Sequence, residues 1–215
     1  MGGTLPKPFR TVGGMPILAR AVRPFLVHAD VAHVVIALRQ PDVEAPPRWL
    51  AELQEERVTL VAGGDERADS VRAGLGVLPA ECRTVLVHDG ARPFVESDVL
   101  DAVIAVARRG IGAVAGVPLT DTVKHVSDDN GTAVVVETLP RERLWRAQTP
   151  QGFPRRMLED AHQRAAKAGV SGTDDASLVE QVGARVEMVT DSPRNIKITS
   201  PYDLALAEWL VDQQR

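Results

Sequence analysis

The sequence predicts an α/β fold with a doubly wound, mostly parallel sheet. Two observations support this prediction: short, almost continuous apolar runs recur along the 215 residues, and longer stretches with helical periodicity separate them. Strand–helix–strand order of this kind forms right-handed crossovers, which place helices on both faces of a parallel sheet. We expect one domain over residues 1–215, because the length is near the usual domain size of about 150 residues.

Five segments are predicted to be strands because β-branched and other apolar residues dominate them. In chain order they are Val31–Leu38, Arg57–Gly64, Thr84–Gly90, Gly112–Leu119 and Ala184–Thr190. The stretches between them carry apolar residues at helical spacing. They predict helices over Ile17–His28, Arg48–Glu56, Arg67–Leu78, Ser97–Arg109 and Phe153–Gly169.

Residues 122–138, TVKHVSDDNGTAVVVET, interrupt this alternation and predict a projecting β-hairpin arm. Asn130 and Gly131 in its middle tolerate the positive φ that tight hairpin turns require. The three valines at 134–136 are too apolar for a freely solvated arm. Two interpretations stay open: the hairpin packs against its own domain, or it is a dimerisation arm that contacts another subunit.

The composition excludes several classes of protein. With 25 Lys and Arg against 29 Asp and Glu, the net charge of −4 argues against a general nucleic-acid binder, although a site for a small anion needs only a few local cations. The single cysteine, Cys82, excludes an intramolecular disulfide and a cysteine-based zinc cluster. No run reaches the roughly 18 apolar residues of a membrane span, and the N-terminus has no secretory apolar stretch, so we expect a cytoplasmic protein without membrane association.

A glycine-rich segment, GGDERADSV at Gly63–Val71, follows the second predicted strand. Ligands of open α/β sheets bind outside the carboxyl ends of the strands, and paired glycines let the backbone approach a ligand closely. Ser70 could donate to a ligand oxygen, and Asp65 could accept from an amino group such as the exocyclic amine of a base. An ordinary glycine-rich turn in which Asp65 caps the next helix is the alternative interpretation.

The segment HDGARPF at His88–Phe94 follows the third predicted strand. A carboxylate such as Asp89 accepts from hydroxyls, while a guanidinium such as Arg92 forks onto a phosphate. Together they suit a hydroxylated, phosphorylated substrate. A local ion pair that stabilises the turn explains them equally well, and we expect His88 to be a buried strand residue rather than a catalytic base.

Two lysines and two polar segments complete the candidates. Lys7 lies between two prolines, and Lys197 is the single charge in the apolar run NIKIT, so its side chain must point at solvent or at an anion. The segments Thr149–Phe153 and Thr173–Ser177 are interpreted as helix N-caps first and as ligand contacts second. No persuasive Ser-His-Asp or Cys-His set and no G-x-x-x-x-G-K-[ST] loop is present, which argues against a covalent hydrolase and a P-loop protein.

Taken together, these segments resemble the 2-C-methyl-D-erythritol 4-phosphate cytidylyltransferase family. The similarity extends over nearly the whole chain in family order and includes PKPF, GGMPIL, GGDERADSV, VLVHDGARPF, VPLTDTVK, RERLWRAQTPQGF, GTDDAS and NIKITSPYDLALAE. The resemblance implies a Rossmann-like nucleotidyltransferase fold and a homodimer joined by the hairpin arm. It also implies a reaction of CTP with methylerythritol phosphate that yields the CDP-linked product and pyrophosphate for non-mevalonate isoprenoid synthesis, with Mg²⁺ held mainly by the CTP phosphates.

The resemblance further implies roles for individual residues. Lys7 and Lys197 would stabilise the pentavalent phosphate. Thr122 and Arg141 would reach the methylerythritol phosphate of the neighbouring subunit from the arm region. The cytidine part would be recognised by Gly64, Asp65, Ser70 and Gly90. The meeting point of nucleotide and sugar phosphate would be lined by Asp89, Arg92, Thr149, Thr173 and Lys197.

The sequence departs from the family pattern at its start. The opening strand and the glycine-rich loop A-A-G-x-G-x-R-M, which wraps the triphosphate, are not in the given sequence, and Pro8 stands where the family usually has glutamine. Three other hypotheses therefore stay open: a related cytidylyltransferase that acts on ribitol 5-phosphate, a catalytically silent dimeric CTP-binding protein, and a purely structural dimer.

Overall fold

The computed structural model describes residues 6–54 and 57–213, with the side chains of Lys7 and Gln54 excepted. Within these residues the strands are β1 (Thr11–Val12), β2 (Met15–Pro16), β3 (Val34–Leu38), β4 (Val58–Ala62), β5 (Thr84–Val87), β6 (Gly112–Pro118), β7 (Val123–Asp129), β8 (Thr132–Leu139), β9 (Trp145–Pro154) and β10 (Val186–Thr190). The α-helices are α1 (Ile17–Val27), α2 (Gln40–Glu44), α3 (Arg48–Ala51), α4 (Arg67–Val77), α5 (Ser97–Arg108), α6 (Arg155–Ala168), α7 (Asp175–Gln181) and α8 (Pro201–Asp212). The predicted α/β class is confirmed.

The main sheet has four strands in the order β10-β6-β9-β5. β10 runs parallel to β6, whereas β9 is antiparallel to both of its neighbours, with Gln151 opposite Val87 of β5 and Val114 of β6. Helices cover both faces: α6 and α7 pack on one through Phe153, and α5 packs on the other through Val103. Burial on both faces explains why β5 and β6 are apolar along most of their length.

Strand β9 is the strand of the main sheet that the sequence analysis missed. The segment from Thr149 to Phe153 was interpreted first as the start of a helix, but it is the buried middle of β9. Consequently α6 begins at Arg155 and not at Phe153, because Phe153 and Pro154 pair with Val85 and Thr84 in the sheet. The polar residues of this segment conceal its burial, since they are paired inside the protein rather than with water.

A second, separate sheet consists of the parallel pair β3 and β4. Its β3 edge faces the β5 edge of the main sheet across a cavity of about 610 Å³, which is lined by residues of β3, β5, α1 and α4. Within the described ranges 6–54 and 57–213, no strand pairs with either of these two edges. The sheet is therefore interrupted at its centre, and helices α1 and α4 hold its two parts together.

The predicted hairpin arm is present as β7 and β8. Asn130 and Gly131 form its turn with φ of 51° and 83°, and the Gly131 N–H donates to Asp128 Oδ1. Val134, Val135 and Val136 are 44%, 54% and 58% exposed, so they do not pack against their own domain. The arm thus presents an apolar strip on a surface of the single chain.

Two smaller points complete the fold. The predicted helix at 48–56 is α3 followed by the 3₁₀ turn Glu52–Gln54, and residues 55 and 56 lie outside the described part. None of the helices in the described ranges combines the length and the apolar character needed to cross a membrane.

Candidate active site

The candidate site lies at the carboxyl ends of β4 and β5. The loop after β5 is tied to the C-terminal segment, because the Ile198 N–H donates to Ala91 O at 2.9 Å. The loop after β4 is tied to β3, because the Gly63 N–H donates to Leu38 O at 2.7 Å. The Arg67–Asp89 pair joins the first residue of α4, after the glycine-rich loop, to the HDGARPF loop. The three segments thus meet at one edge of the sheet, where ligands of α/β proteins bind.

Asp89 is the centre of a cluster of three cations. Lys197 Nζ lies 2.9 Å from Asp89 Oδ2, and Arg92 Nε lies 3.7 Å from the same oxygen. Arg67 Nε lies 3.3 Å from Asp89 Oδ1. Burial acts to raise the pKa of Asp89, but Lys197, Arg67 and Arg92 outweigh it and lower that pKa. We call these four residues the Asp89 cluster. Because Arg67 is also paired with Asp175, Lys197 and Arg92 are the cations that suit a bound anion.

His88 and Thr149 hold Asp89 from behind. The Asp89 N–H donates to Thr149 Oγ1 at 3.0 Å, and the Thr149 hydroxyl donates to His88 Nδ1 at 3.0 Å. The other ring nitrogen, Nε2, donates to Arg92 O at 3.0 Å. Burial lowers the pKa of His88 to about 4, which keeps the imidazole neutral, as both bonds require. His88 is a structural residue, as predicted, and the Thr149 hydroxyl is engaged within the protein.

Asn195 braces the other side of the site, and sequence reasoning missed it. The side chain is completely buried, and its Nδ2 donates to Thr149 O at 2.8 Å and to Asp191 Oδ2 at 2.6 Å. Its backbone carbonyl oxygen accepts from Arg92 Nη1 at 2.8 Å and from Gln148 Nε2 at 2.9 Å. Asn195 therefore orients Arg92 and the segment that carries Lys197. Its position two residues before that lysine is the one sequence signal for this role.

Arg67 was also missed as a site residue. Besides Asp89, its guanidinium pairs with Asp175, because Nη1 lies 2.6 Å from Asp175 Oδ2. Although burial acts to lower it, the pKa of Arg67 is raised by Asp175 and Asp89. The sequence places Arg67 at the first position of a helix, and only the fold reveals that α7 lies opposite it.

The glycine-rich loop leads directly into α4. A Cβ atom at Gly64 would lie 2.2 Å from Asp69 Cβ, so only glycine fits at this position. The N-cap of α4 is Glu66, in a capping box with Asp69, and the suggestion that Asp65 caps this helix is wrong. Asp65 is exposed, and Ser70 Oγ lies over the loop, 2.5 Å from where a Cβ of Gly63 would be.

The remaining predicted residues lie around this edge. A Cβ at Gly90 would approach Leu18 Cδ1 to 2.9 Å, so a larger residue in the HDGARPF loop would require the Leu18 side chain to shift. Thr173 is exposed just before α7, whose N-cap is Asp174. Arg141 lies at the root of the arm, where Nη1 donates to Thr120 O at 2.7 Å, and Thr122 is exposed two residues further on. The backbone of Lys7 begins a 3₁₀ turn, but its side chain lies outside the described part.

The described residues offer no cluster of three or more His, Cys, Asp or Glu side chains that could hold a metal ion. Asp89 is the carboxylate at the centre of the site, and its oxygens already face three cations.

The fold and the geometry of the site indicate a general class of protein. A Rossmann-like sheet that carries a glycine-rich loop and a cationic hollow at the carboxyl ends of its strands is typical of proteins that bind phosphorylated nucleotides.

The comparison with known proteins narrows this class. The family described as IspD, 2-C-methyl-D-erythritol 4-phosphate cytidylyltransferase, matches residues 1–213, and the chain belongs to this family. The enzyme of that name from Solibacter usitatus is 42% identical over 99% of this chain and 87% of its own length. The one from Syntrophus aciditrophicus is 40% identical over 100% of this chain and 91% of its own length.

Solved structures agree with the family assignment. The crystal structure of 2-C-methyl-D-erythritol 4-phosphate cytidylyltransferase from Thermus thermophilus is 36% identical, covers 96% of this chain and 94% of its own, and has a TM-score of 0.81. The 4-diphosphocytidyl-2C-methyl-D-erythritol synthase of Anaerococcus prevotii has a TM-score of 0.88 at 27% identity over 100% and 92% of the two chains. The predicted family, the Rossmann-like fold and the nucleotidyltransferase class are confirmed.

Proposed function

We propose that this protein joins CTP and 2-C-methyl-D-erythritol 4-phosphate to give 4-diphosphocytidyl-2-C-methyl-D-erythritol and pyrophosphate, a step in isoprenoid synthesis. Membership in the cytidylyltransferase family supports this reaction. The structural observation that supports this function most directly is the Asp89 cluster. Its Lys197 and Arg92 converge at the sheet edge beside the glycine-rich loop. Two anionic reactants need such a hollow in a chain of net charge −4.

The reaction requires alignment of the two substrates and does not require a protein nucleophile. An oxygen of the sugar phosphate attacks the α-phosphorus of CTP in line, a new P–O bond forms, and the bond to pyrophosphate breaks. A phosphate monoester is already ionised near neutral pH, so no side chain has to activate it. Positioning and charge stabilisation then supply the rate enhancement. Lys197, together with Lys7, stabilises the charge that builds on the α-phosphate.

The nucleotide lies over the loop between β4 and α4 in this proposal. Gly64 allows its backbone to approach the ligand, and exposed Asp65 accepts from the exocyclic amine of cytosine. Ser70 and Gly90 complete the cytidine pocket. Asp89, Arg92, Thr149 and Thr173 surround the point where the two substrates meet, with Thr149 acting through Asp89.

The arm makes the protein a homodimer in this proposal. The exposed valines of β8 and Val126 of β7, which is 45% exposed, need a partner surface, and a second copy of the chain supplies one. Thr122 and Arg141 at the arm root would then contact the sugar phosphate bound to the neighbouring subunit. Residues 122–138 are accordingly a dimerisation arm on a single nucleotidyltransferase domain.

Mg²⁺ enters this site bound to the phosphates of CTP. We place the ion mainly on the nucleotide phosphates, because the described residues offer no cluster of three or more His, Cys, Asp or Glu side chains. When bound, it would neutralise part of the negative charge of the triphosphate. The cytoplasmic location and the lack of nucleic-acid or membrane partners stay predictions from composition.

One experiment tests the assignment at Lys197. We expect Lys197→Ala to lower kcat by at least about 100-fold, the size found when one charge-stabilising donor is lost. Pyrophosphate release is measured with CTP, Mg²⁺ and either methylerythritol phosphate or ribitol 5-phosphate. Lys167→Ala, which removes an exposed lysine at the end of α6, is the control and should turn over normally.

The same assay separates the alternatives. Near-normal turnover of Lys197→Ala would refute the catalytic role assigned to Lys197. A preference for ribitol 5-phosphate would show that it, rather than methylerythritol phosphate, is the substrate. CTP binding by calorimetry without pyrophosphate release in the unaltered protein would favour the silent binder, and no CTP binding would favour the structural dimer. Arg141→Ala should mainly weaken use of the sugar phosphate.

A further inference from the structure

A line of charged side chains connects the interior of the protein to the candidate active site. It starts at His162 of α6, whose Nε2 donates to Asp175 Oδ1 at 2.9 Å. Asp175 Oδ2 meets Arg67 at 2.6 Å, Arg67 meets Asp89 at 3.3 Å, and Asp89 meets Lys197 at 2.9 Å. Three helices and the loop after β5 thus contribute one residue each ahead of Lys197.

The inner end of this line is held rigidly. The side chains of His162 and Asp175 are each 1% exposed, whereas Arg67 is 36% exposed. A buried carboxylate is costly unless it is paired, so Asp175 requires its histidine and its arginine. Asp175 also lies in the first turn of α7, beside the capping box of Asp174 and Ser177, which fixes its backbone.

Arginine is the residue type that this geometry needs. The planar guanidinium presents several N–H donors in a fixed fork, so Nη1 reaches Asp175 while Nε reaches Asp89. A lysine in this position carries one compact charge on a flexible stem and cannot hold two carboxylates in fixed relative positions. Arg67 therefore transmits the position of Asp175 to Asp89.

We propose that Arg67 is a positioning residue: with Asp175 and His162 behind it, Arg67 orients Asp89 so that Asp89 holds Lys197 at the reacting phosphate. This inference rests on the proposed function, because it gives Lys197 a catalytic role. The alternative is that Arg67 merely ties α4 to α7, in which case its loss affects stability and nothing else.

A double-mutant cycle with Lys197 distinguishes the two roles. We expect Arg67→Ala to lower kcat about 10- to 100-fold, since misplacing a catalytic group by about 1 Å costs that much. In an Arg67→Ala, Lys197→Ala double variant, turnover should be no lower than in Lys197→Ala alone, because Arg67 acts only through Lys197. Losses that multiply would overturn the positioning role.

Arg67→Lys and Asp175→Asn guard against a variant that fails to fold. Both keep a polar partner in the buried pair, and both should lower kcat less than Arg67→Ala does. If both variants turn over fully and only their melting temperatures fall, Arg67 serves only to tie α4 to α7.

The pH profile is a second readout that a structural role does not move. Asp89 faces three cations, Arg67, Arg92 and Lys197. Asp175 is paired with Arg67, and the charge of Asp191 acts on Arg92. His88 precedes Asp89 in the chain. Arg67 is one of the cations that lower the pKa of Asp89, so its loss should raise that pKa. The acid limb of the pH profile of kcat/KM should therefore move to higher pH. An unshifted limb in a folded Arg67→Ala protein contradicts the proposal.

Arg155→Ala is the matched control. Arg155 is also the first residue of a helix and is also paired, with Glu159 and the carbonyl oxygens of Leu75 and Pro79, but away from Asp89. It should lower the melting temperature without moving the acid limb. The two proposals fail differently: absence of pyrophosphate release by the unaltered protein removes the proposed function, whereas loss in Lys197→Ala with multiplying effects removes only the role of Arg67.

Discussion

The two halves of the interrupted sheet support the candidate site in different ways. Behind the β5 loop, polar side chains such as Asn195 and Thr149 are buried and mutually hydrogen-bonded. Behind the β4 loop, the β3–β4 pair borders a cavity of about 610 Å³, and its polar contacts, such as that of His33 with Thr59, are half-buried. Because hydrogen bonds are electrostatically stronger in a buried region of low dielectric, we expect the β5 loop to be held more firmly than the β4 loop.

The largest expected effect is at Asn195. Asn195→Ala leaves two buried acceptors, the Thr149 carbonyl oxygen and Asp191 Oδ2, without the donor that Asn195 Nδ2 supplies. This should reduce the free energy of unfolding by about 4 kcal/mol, at about 2 kcal/mol for each acceptor. Thr59→Val in the other half should cost at most about 1 kcal/mol, because water can replace its bond to His33. Urea denaturation of both variants measures the difference, and equal losses would contradict the contrast between the halves.

The second expected effect is a dependence of stability on pH caused by His88. Its pKa is lowered by burial from 6.5 to about 4, so between these values the unfolded chain binds a proton that the folded protein does not. The contribution of His88 to the free energy of unfolding is therefore fully present above pH 6.5. It falls by about 3 kcal/mol as the pH drops to 4.

Chemical denaturation at several pH values tests this expectation with His88→Gln, which should flatten the slope in that range. His33→Gln, the corresponding change in the β3–β4 half, should keep the slope because His88 is still present. A slope that survives in His88→Gln would assign the effect to other groups.

The smallest expected effect is a stabilisation at the cavity. A Cβ at Gly74 of α4 would contact Val35 Cγ1 of β3 at 3.8 Å, an ordinary packing distance. Gly74→Ala should therefore gain about 0.5–1 kcal/mol from helix propensity and a little more from the contact. Gly76→Ala, where a Cβ meets nothing within 4 Å, isolates the propensity part. Thermal unfolding gives both values, and a loss at Gly74 would mean that the cavity is already closed in solution.

Much of the local structure was predictable because it depends on neighbouring residues. Apolar runs predicted the strand now seen at Val34–Leu38 and the helix at Ser97–Arg108 within a few residues. Asn130 and Gly131 predicted the hairpin turn from their tolerance of positive φ. The family resemblance implied that Asp89, Arg92 and Lys197 belong to one site, and the structure brings the three side chains together.

Long-range pairing was not predictable in the same way. The buried middle of β9 contains Gln148 and Gln151, and polar residues of this kind indicate a loop until their partners are known. Gln151 bonds with Asp174 and Ala176, and Gln148 with Asn195, across separations of more than 20 residues. A pattern of hydrophobicity holds no information about such partners.

The sequence by itself determined the class of fold, the family and the residue types of the site, because periodicity and motif chemistry are written in short segments. Only the tertiary structure decided that Arg67 joins Asp175 to Asp89, that Asn195 braces Arg92, and that the arm valines stay exposed. The physical reason is that a charge or a buried amide is stabilised by whichever group the fold brings within about 3 Å, and that group lies anywhere along the chain.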